Sequence, residues 1–263
     1  LFRSYGYYST TNVNNGIVYE LMPDEQKNGK SRNAIVTGIT EEGKKKPEIV
    51  IPAIVSYDSK EYPVETIGGK AFENCDEIQR LTLPDGLKAI NNAALKGCTS
   101  LIQVKNLPDD LQVISDSLFM GCSSLAQILV KGMGESTNSL PATVITIGRE
   151  AFKGCINFSL NSLPASLTGI GYQAFNGTAF EDVTLSASLV SLDKEVFKEC
   201  KSLKTVTFEE GFNLPISDYM FWNCTALNQV TLSNATPSIN QLAFKGCSSL
   251  PNITIPATVA FIG

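Results

Sequence analysis

Seven cysteines, Cys75, Cys98, Cys122, Cys155, Cys200, Cys224 and Cys247, are the residues of this 263-residue chain best able to do chemistry. A cysteine can serve as a nucleophile, as half of a disulfide or as a metal ligand. No two of these stand in C-x-x-C spacing, so the usual zinc signature is missing. The chain has no histidine at all. That removes Ser-His-Asp and Cys-His catalysis, His-ligated zinc and imidazole proton shuttles together. The adjacent carboxylates Asp109-Asp110 and Glu209-Glu210 fall in turns, and adjacency in sequence does not make an acid/base pair. Phosphate loops, dinucleotide fingerprints, EF-hands and nucleophile elbows have no match. The expectation is a chain without enzyme activity, cofactor or metal.

The bulk composition narrows the partners. A formal net charge of −5 argues against nucleic acid, which needs a basic face. Hydrophobic residues make up 43% of the chain and charged residues 18%, enough to build a sizeable core. No apolar run approaches the ~18–20 residues of a membrane span, so membrane insertion is not expected. The opening "LFRSYGYYST" has no apolar stretch of signal-peptide type, and the closing "VAFIG" reads as a repeat cut short.

The elements that must carry the cysteines are repeats. Copies begin at Ile67, Ile90, Ile114, Ile147, Ile170, Leu192, Ile216 and Ile239, and Ile262-Gly263 opens a ninth. The spacing is 22–24 residues, except for 33 in the third copy, which carries the insertion "KGMGESTNS" (131–139). After each cysteine slot comes L-x-x-[IV]-x-[LF], whose closing alternation is a strand with one face in and one out. Glycine after the opening isoleucine suits a tight bend in copies one, four and five. One such unit cannot bury its own apolar face, and stacked copies can. Stacking would align Phe72, Leu95, Phe119, Phe152, Phe175, Phe197, Phe221 and Phe244 in one core column. The cysteines form a second column, interrupted by Thr178 in the fifth copy. Seven is an odd number, and threonine preserves size but not a crosslink. The favoured reading is therefore a structural column of buried free thiols, with a disulfide between neighbouring copies as the alternative.

The pattern AF-x-x-C-x-x-L-x-x-[IV]-x-[LF], running over residues 66–263, resembles the BspA-like leucine-rich-repeat family of bacterial surface proteins. The expected fold is an α/β-type or mostly β solenoid, a right-handed leucine-rich-repeat superhelix of about eight coils. Residues 66–263 would form one continuous solenoid, and residues 1–65, with apolar runs at 16–22, 34–39, 48–55 and 61–67, a β-rich N-terminal cap. The charged stretch "EEGKKKPE" reads as a solvated turn. The resemblance implies an extracellular or cell-surface, monomeric, non-enzymatic protein that recognises an unidentified protein or host extracellular-matrix partner. A structural spacer that positions another domain is the alternative.

Residues five and seven positions after each cysteine should face outward, giving a polar, threonine-rich, nearly uncharged surface without aromatics. Candidate partner contacts are Arg80 on that surface, the outward pair Leu129 and Leu160, and Lys131, Met133 and Glu135 in the insertion. Trp222, the single tryptophan, joins them. Asn161 stands where other copies place Val, Ile or Leu, so either its amide bonds neighbouring backbone or the fourth strand has slipped by one residue.

Overall fold

The computed structural model describes residues 10–24, 31–134 and 138–263. Strands β1 (Thr10–Asn14) and β2 (Ile17–Met22) form a hairpin. Its tip, Asn15-Gly16, has positive φ at both residues (52° and 85°), the combination that a tight two-residue hairpin requires. β3 (Asn33–Ile39) pairs antiparallel with β2. The charged stretch at 41–48 begins with a single helical turn, α1 (Glu41–Lys44), where a plain turn was expected. Thr40 causes this: its Oγ1 accepts a hydrogen bond from the Gly43 amide at 3.1 Å, as an N-cap does.

The apolar run 48–55 divides at Pro52 into β4 (Glu48–Val50) and β5 (Ile54–Tyr57). β5 pairs antiparallel with β6 (Lys60–Ile67), and β6 pairs parallel with β3. β4 leaves that sheet. It pairs in parallel with β7 (Arg80–Thr82), so residues 48–50 are the first rung of the repeat stack.

The repeats build three ladders, although copies four and eight supply no long strand. The long strands β7, β9 (Gln103–Leu107) and β11 (Gln127–Val130) continue from β4 as a parallel sheet of four. A second group, β14 (Asp182–Leu185), β16 (Thr205–Phe208) and β17 (Gln229–Thr231), forms a parallel sheet of three. The two-residue strands β8 (Ala89–Ile90), β10 (Val113–Ile114), β12 (Thr146–Ile147), β13 (Gly169–Ile170), β15 (Ser191–Leu192), β18 (Ser238–Ile239) and β19 (Phe261–Ile262) contain the opening residues of the copies. Ile67 faces Ile90. Ile114, Ile147, Ile170 and Leu192 stand in one register, and Ile216, Ile239 and Ile262 in another. The protein is thus a mostly β solenoid of about eight turns with almost no helix.

The third ladder runs through the bends. In every copy the residue two before the phenylalanine slot is left-handed, from Lys70 (φ 61°) to Leu242 (φ 54°), and so is the residue two after it, from Asn74 (φ 58°) to Gly246 (φ 81°). Non-glycine residues resist this conformation by roughly 1–2 kcal/mol. Interlocking backbone bonds to the next copy offset that cost, as in Ser117 N to Arg149 O, Phe119 N to Ala151 O and Gly121 N to Lys153 O at 2.7–2.8 Å. The glycines after the opening isoleucine have a different cause from the bend expected of them. Gly148 and Gly171 lie against the preceding copy, and an added Cβ would come within 2.5 Å of Asp116 Oδ1 or 2.7 Å of the Arg149 amide.

Inside, one continuous core runs from Ile17 to Cys247. The rings of Phe119, Phe152, Phe175, Phe197, Phe221 and Phe244 stack nearly parallel with centroids 5.3–5.8 Å apart. That is the offset spacing that aromatic pairs favour.

Candidate partner-binding surface

The cysteines point away from any surface. Cys98, Cys122, Cys155, Cys200, Cys224 and Cys247 each donate an S–H to the carbonyl of the phenylalanine-slot residue one copy back, at 3.0–3.2 Å. All seven thiols, Cys75 included, are free and buried. Thr178 keeps the slot polar and small: its Oγ1 donates to Phe175 O at 2.8 Å and lies 3.4 Å from Cys200 Sγ. Burial pushes the thiols of Cys200 and Cys247 up to about 11 and that of Cys75 to about 12.

At pH 8 the native chain is therefore expected to react with a thiol-specific disulfide reagent slowly if at all, Cys247 first, since it is the most accessible at 9%. Seven thiols should titrate once the chain is unfolded; fewer than seven in fresh denatured protein would mean a crosslink. The thiol pKa is raised on folding, so this contribution to stability is complete below about pH 9 and is lost as the pH climbs from there toward 11–12. Unfolding that is unchanged between pH 8 and 11 would contradict it.

The long-strand face displays columns of polar residues. Glu48, Arg80, Gln103 and Gln127 are in register, as are Asp182, Thr205 and Gln229. Arg80 is exposed, but its guanidinium is held by Glu48 across the β4–β7 pair. Lys131 is engaged similarly, 3.0 Å from Asp85, and holds that carboxyl below its ordinary range. Exposed pairs of this kind contribute little to stability and exchange readily.

The face breaks at copy four, which has no long strand between β11 and β14. Leu160 is 5% exposed and belongs to the core, while Asn161 is exposed. The fourth copy has slipped by one residue, and the expectation that Leu160 faces outward is corrected. An unpaired amide in the core would cost several kcal/mol, so Asn161 is expelled and Leu160 takes the inward place. Phe158 packs its ring on Phe152 at 4.6 Å.

Leu129 is also buried, at 6%, without joining the main core. Its outward placement is corrected too. The register between β9 and β11 shifts around it, leaving Ile128, Leu129 and Val130 buried in succession. The end of the insertion returns to this edge. Asn138 Oδ1 accepts from the Ile128 amide at 2.9 Å, and its Nδ2 donates to the carbonyls of Ala126 and Ser159. Its backbone carbonyl accepts from the Asn161 amide at 3.1 Å. One asparagine thus substitutes for the missing strand between copies three and four. Sequence reading assigned it no role, although a lone asparagine closing a polar insertion beside a slipped strand was the available signal.

Met133 is 53% exposed at the start of the insertion, and Glu135 lies outside the described residues. Trp222, far along the stack, is half-buried. It packs against Tyr219 at 5.6 Å and lies under the Lys198 ammonium at 4.2 Å from the ring centre. The insertion candidates and Trp222 do not converge on one spot in any contact among the described residues. Those residues also hold no group of three or more Cys, Asp or Glu able to bind a metal ion, and no helix long and apolar enough to cross a membrane.

Stacked coils of about 23 residues, joined by parallel ladders over an isoleucine and phenylalanine core, define a leucine-rich-repeat solenoid. Residues 56–139, 131–215 and 214–263 match the BspA type leucine-rich repeat region in six copies, and the chain belongs to that family. Among solved structures it is similar to the leucine-rich repeat protein TpLRR of T. pallidum, at 22% identity over 92% of each chain with a TM-score of 0.51. It is also similar to the pneumococcal vaccine antigen PcpA, at 17% identity over 97% of this chain and 78% of that one, TM-score 0.54. A leucine-rich repeat protein from Bacteroides ovatus shares 21% identity over 96% of this chain and 90% of its own, TM-score 0.45. No curated protein matches the sequence.

Proposed function

We propose that this chain is a secreted or cell-surface scaffold that recognises another protein, a host extracellular-matrix component being the leading class, and that it acts without catalysis. Membership of a leucine-rich-repeat family supports a repeat-based interaction role. The observation that carries the proposal is the break at copy four. A rigid ladder presents a polar strand face, and between copies three and four it is interrupted by an insertion with an exposed methionine. Irregular segments held on a rigid scaffold are common places for binding. Description of the similar PcpA chain as a vaccine antigen supports surface display. The absence of histidine and the buried, inward thiols support a non-enzymatic reading. We further propose that residues 1–65 cap the N-terminal end of the stack, with β4 supplying its first rung, and that the chain acts as a monomer.

The test is binding of purified extracellular-matrix glycoproteins to the immobilised chain. Saturable binding that falls at least tenfold on Met133→Ser is the expected result. Deleting 131–139 is the poorer variant, because it also removes the structural Asn138 bonds. A chain that binds none of the panel would favour the spacer reading.

A further inference from the structure

Beside the break, strand β14 is left as a sheet edge. Its register pairs it with β16 alone. That ladder uses the Glu181 and Leu185 carbonyls, which accept from the amides of Thr205 and Glu209. Strand geometry alternates such groups, so the amides and carbonyls of Asp182 and Thr184 point the other way, toward copy four. Among the described residues they make no hydrogen bond there; the nearest link is Ala179 N to Phe158 O at 2.8 Å. A cleft of about 250 Å³ opens along this edge. Its apolar walls include Leu163, Phe180 and Leu189, and its lining also contains Asp182, Thr184 and Glu209.

Open edges recruit extended chains. On the other side of the same break the bonds are supplied by Asn138, through its side-chain amide to β11 and copy four and its carbonyl to copy four. Charge selects the occupant of the open side. Asp182 and Glu209 are exposed and in no ion pair among the described residues, and the nearby Lys204 is taken by Glu181 at 2.6 Å. Resting on the protein-recognition reading above, we infer that β14 is a strand-addition site for an extended, basic peptide segment of a partner protein. Main-chain bonds to Asp182 and Thr184 would hold the segment. A lysine or arginine would face Asp182 and Glu209, and an apolar side chain would enter the cleft over Phe180. Such binding draws affinity from backbone bonds and specificity from alternate side chains.

The probe is an acetylated, amidated heptapeptide, Lys-Thr-Val-Lys-Val-Thr-Lys, titrated into the ¹⁵N-labelled full chain. The amide signals of Asp182 and Thr184 are expected to shift, and their hydrogen exchange to slow at least tenfold. Thr184→Pro removes an open-edge donor without touching the β16 ladder, which proline tolerates on an edge, and should weaken binding at least tenfold. If that variant does not fold, the same peptide N-methylated at alternate residues must lose at least tenfold in affinity to the unaltered chain. Absence of binding, binding indifferent to both changes, or shifts confined to other strands would overturn the inference. Concentration-dependent self-association through the same two amides would overturn it in favour of a second copy of the chain. Matrix-protein binding that survives Thr184→Pro would leave the recognition role standing while removing this site.

Discussion

Phe152→Ala is expected to destabilise the protein by about 3–5 kcal/mol, the usual cost of emptying a fully buried aromatic site. Phe152 is fully buried and has three ring partners: Phe119 at 5.3 Å, Phe158 at 4.6 Å and Phe175 at 5.4 Å. A truncated side chain leaves three rings facing a void, and the interlocked bends on both sides limit collapse. Coils of a solenoid contact only their neighbours, so the loss falls on the interfaces on either side of copy four. Urea unfolding read by far-UV circular dichroism and by Trp222 fluorescence, three copies away, measures both the size of the loss and how far it spreads. Phe244→Ala is the comparison: that ring is half-buried with one stacked neighbour and should cost less than half as much. A loss below about 1 kcal/mol at Phe152 would show that the neighbouring rings close the gap.

Asn138→Ala should cost about 2 kcal/mol, large for a residue in a polar insertion. Surface substitutions ordinarily stay within about 0.5 kcal/mol. This one would strand the Ile128 amide and the carbonyls of Ala126 and Ser159 in a partly buried seam, and unmade bonds of that sort cost about 1–3 kcal/mol each before water repairs them. Asn138→Asp is the informative partner variant. It keeps the acceptor for Ile128 but brings a carboxylate against two carbonyls, so it should be at least as damaging as alanine. The readout is the urea midpoint, together with hydrogen exchange of the Ile128 amide, which should accelerate in both variants. Unchanged protection there would mean that the side chain does not hold the seam.

These two residues mark what sequence could and could not reveal. Phe152 was legible because stacking repeats places equivalent residues in columns, and a ring recurring at fixed phase has to be core. The isoleucine ladder and the inward thiols follow from the same periodicity. Asn138 was not legible, since its role depends on where the chain returns after the insertion. Leu129 and Leu160 were misplaced for a related reason. Alternation assigns faces only while register is regular, and one bulge or one-residue slip reverses them. The left-handed bends were also hidden, because Lys70, Glu150 and Leu242 carry no side-chain signature of that conformation.

The sequence by itself determined the architecture: copies of one 22–24-residue unit, each with an apolar face it cannot bury alone, must stack. It also determined that histidine chemistry plays no part. Only the tertiary structure decided where the ladder fails. Whether copy four makes a strand rests on competition between an amide that cannot enter the core and a leucine that can, with Asn138 supplying the bonds a strand would have made. That balance involves residues twenty or more apart in sequence, and it leaves β14 as an unpaired edge beside a cleft.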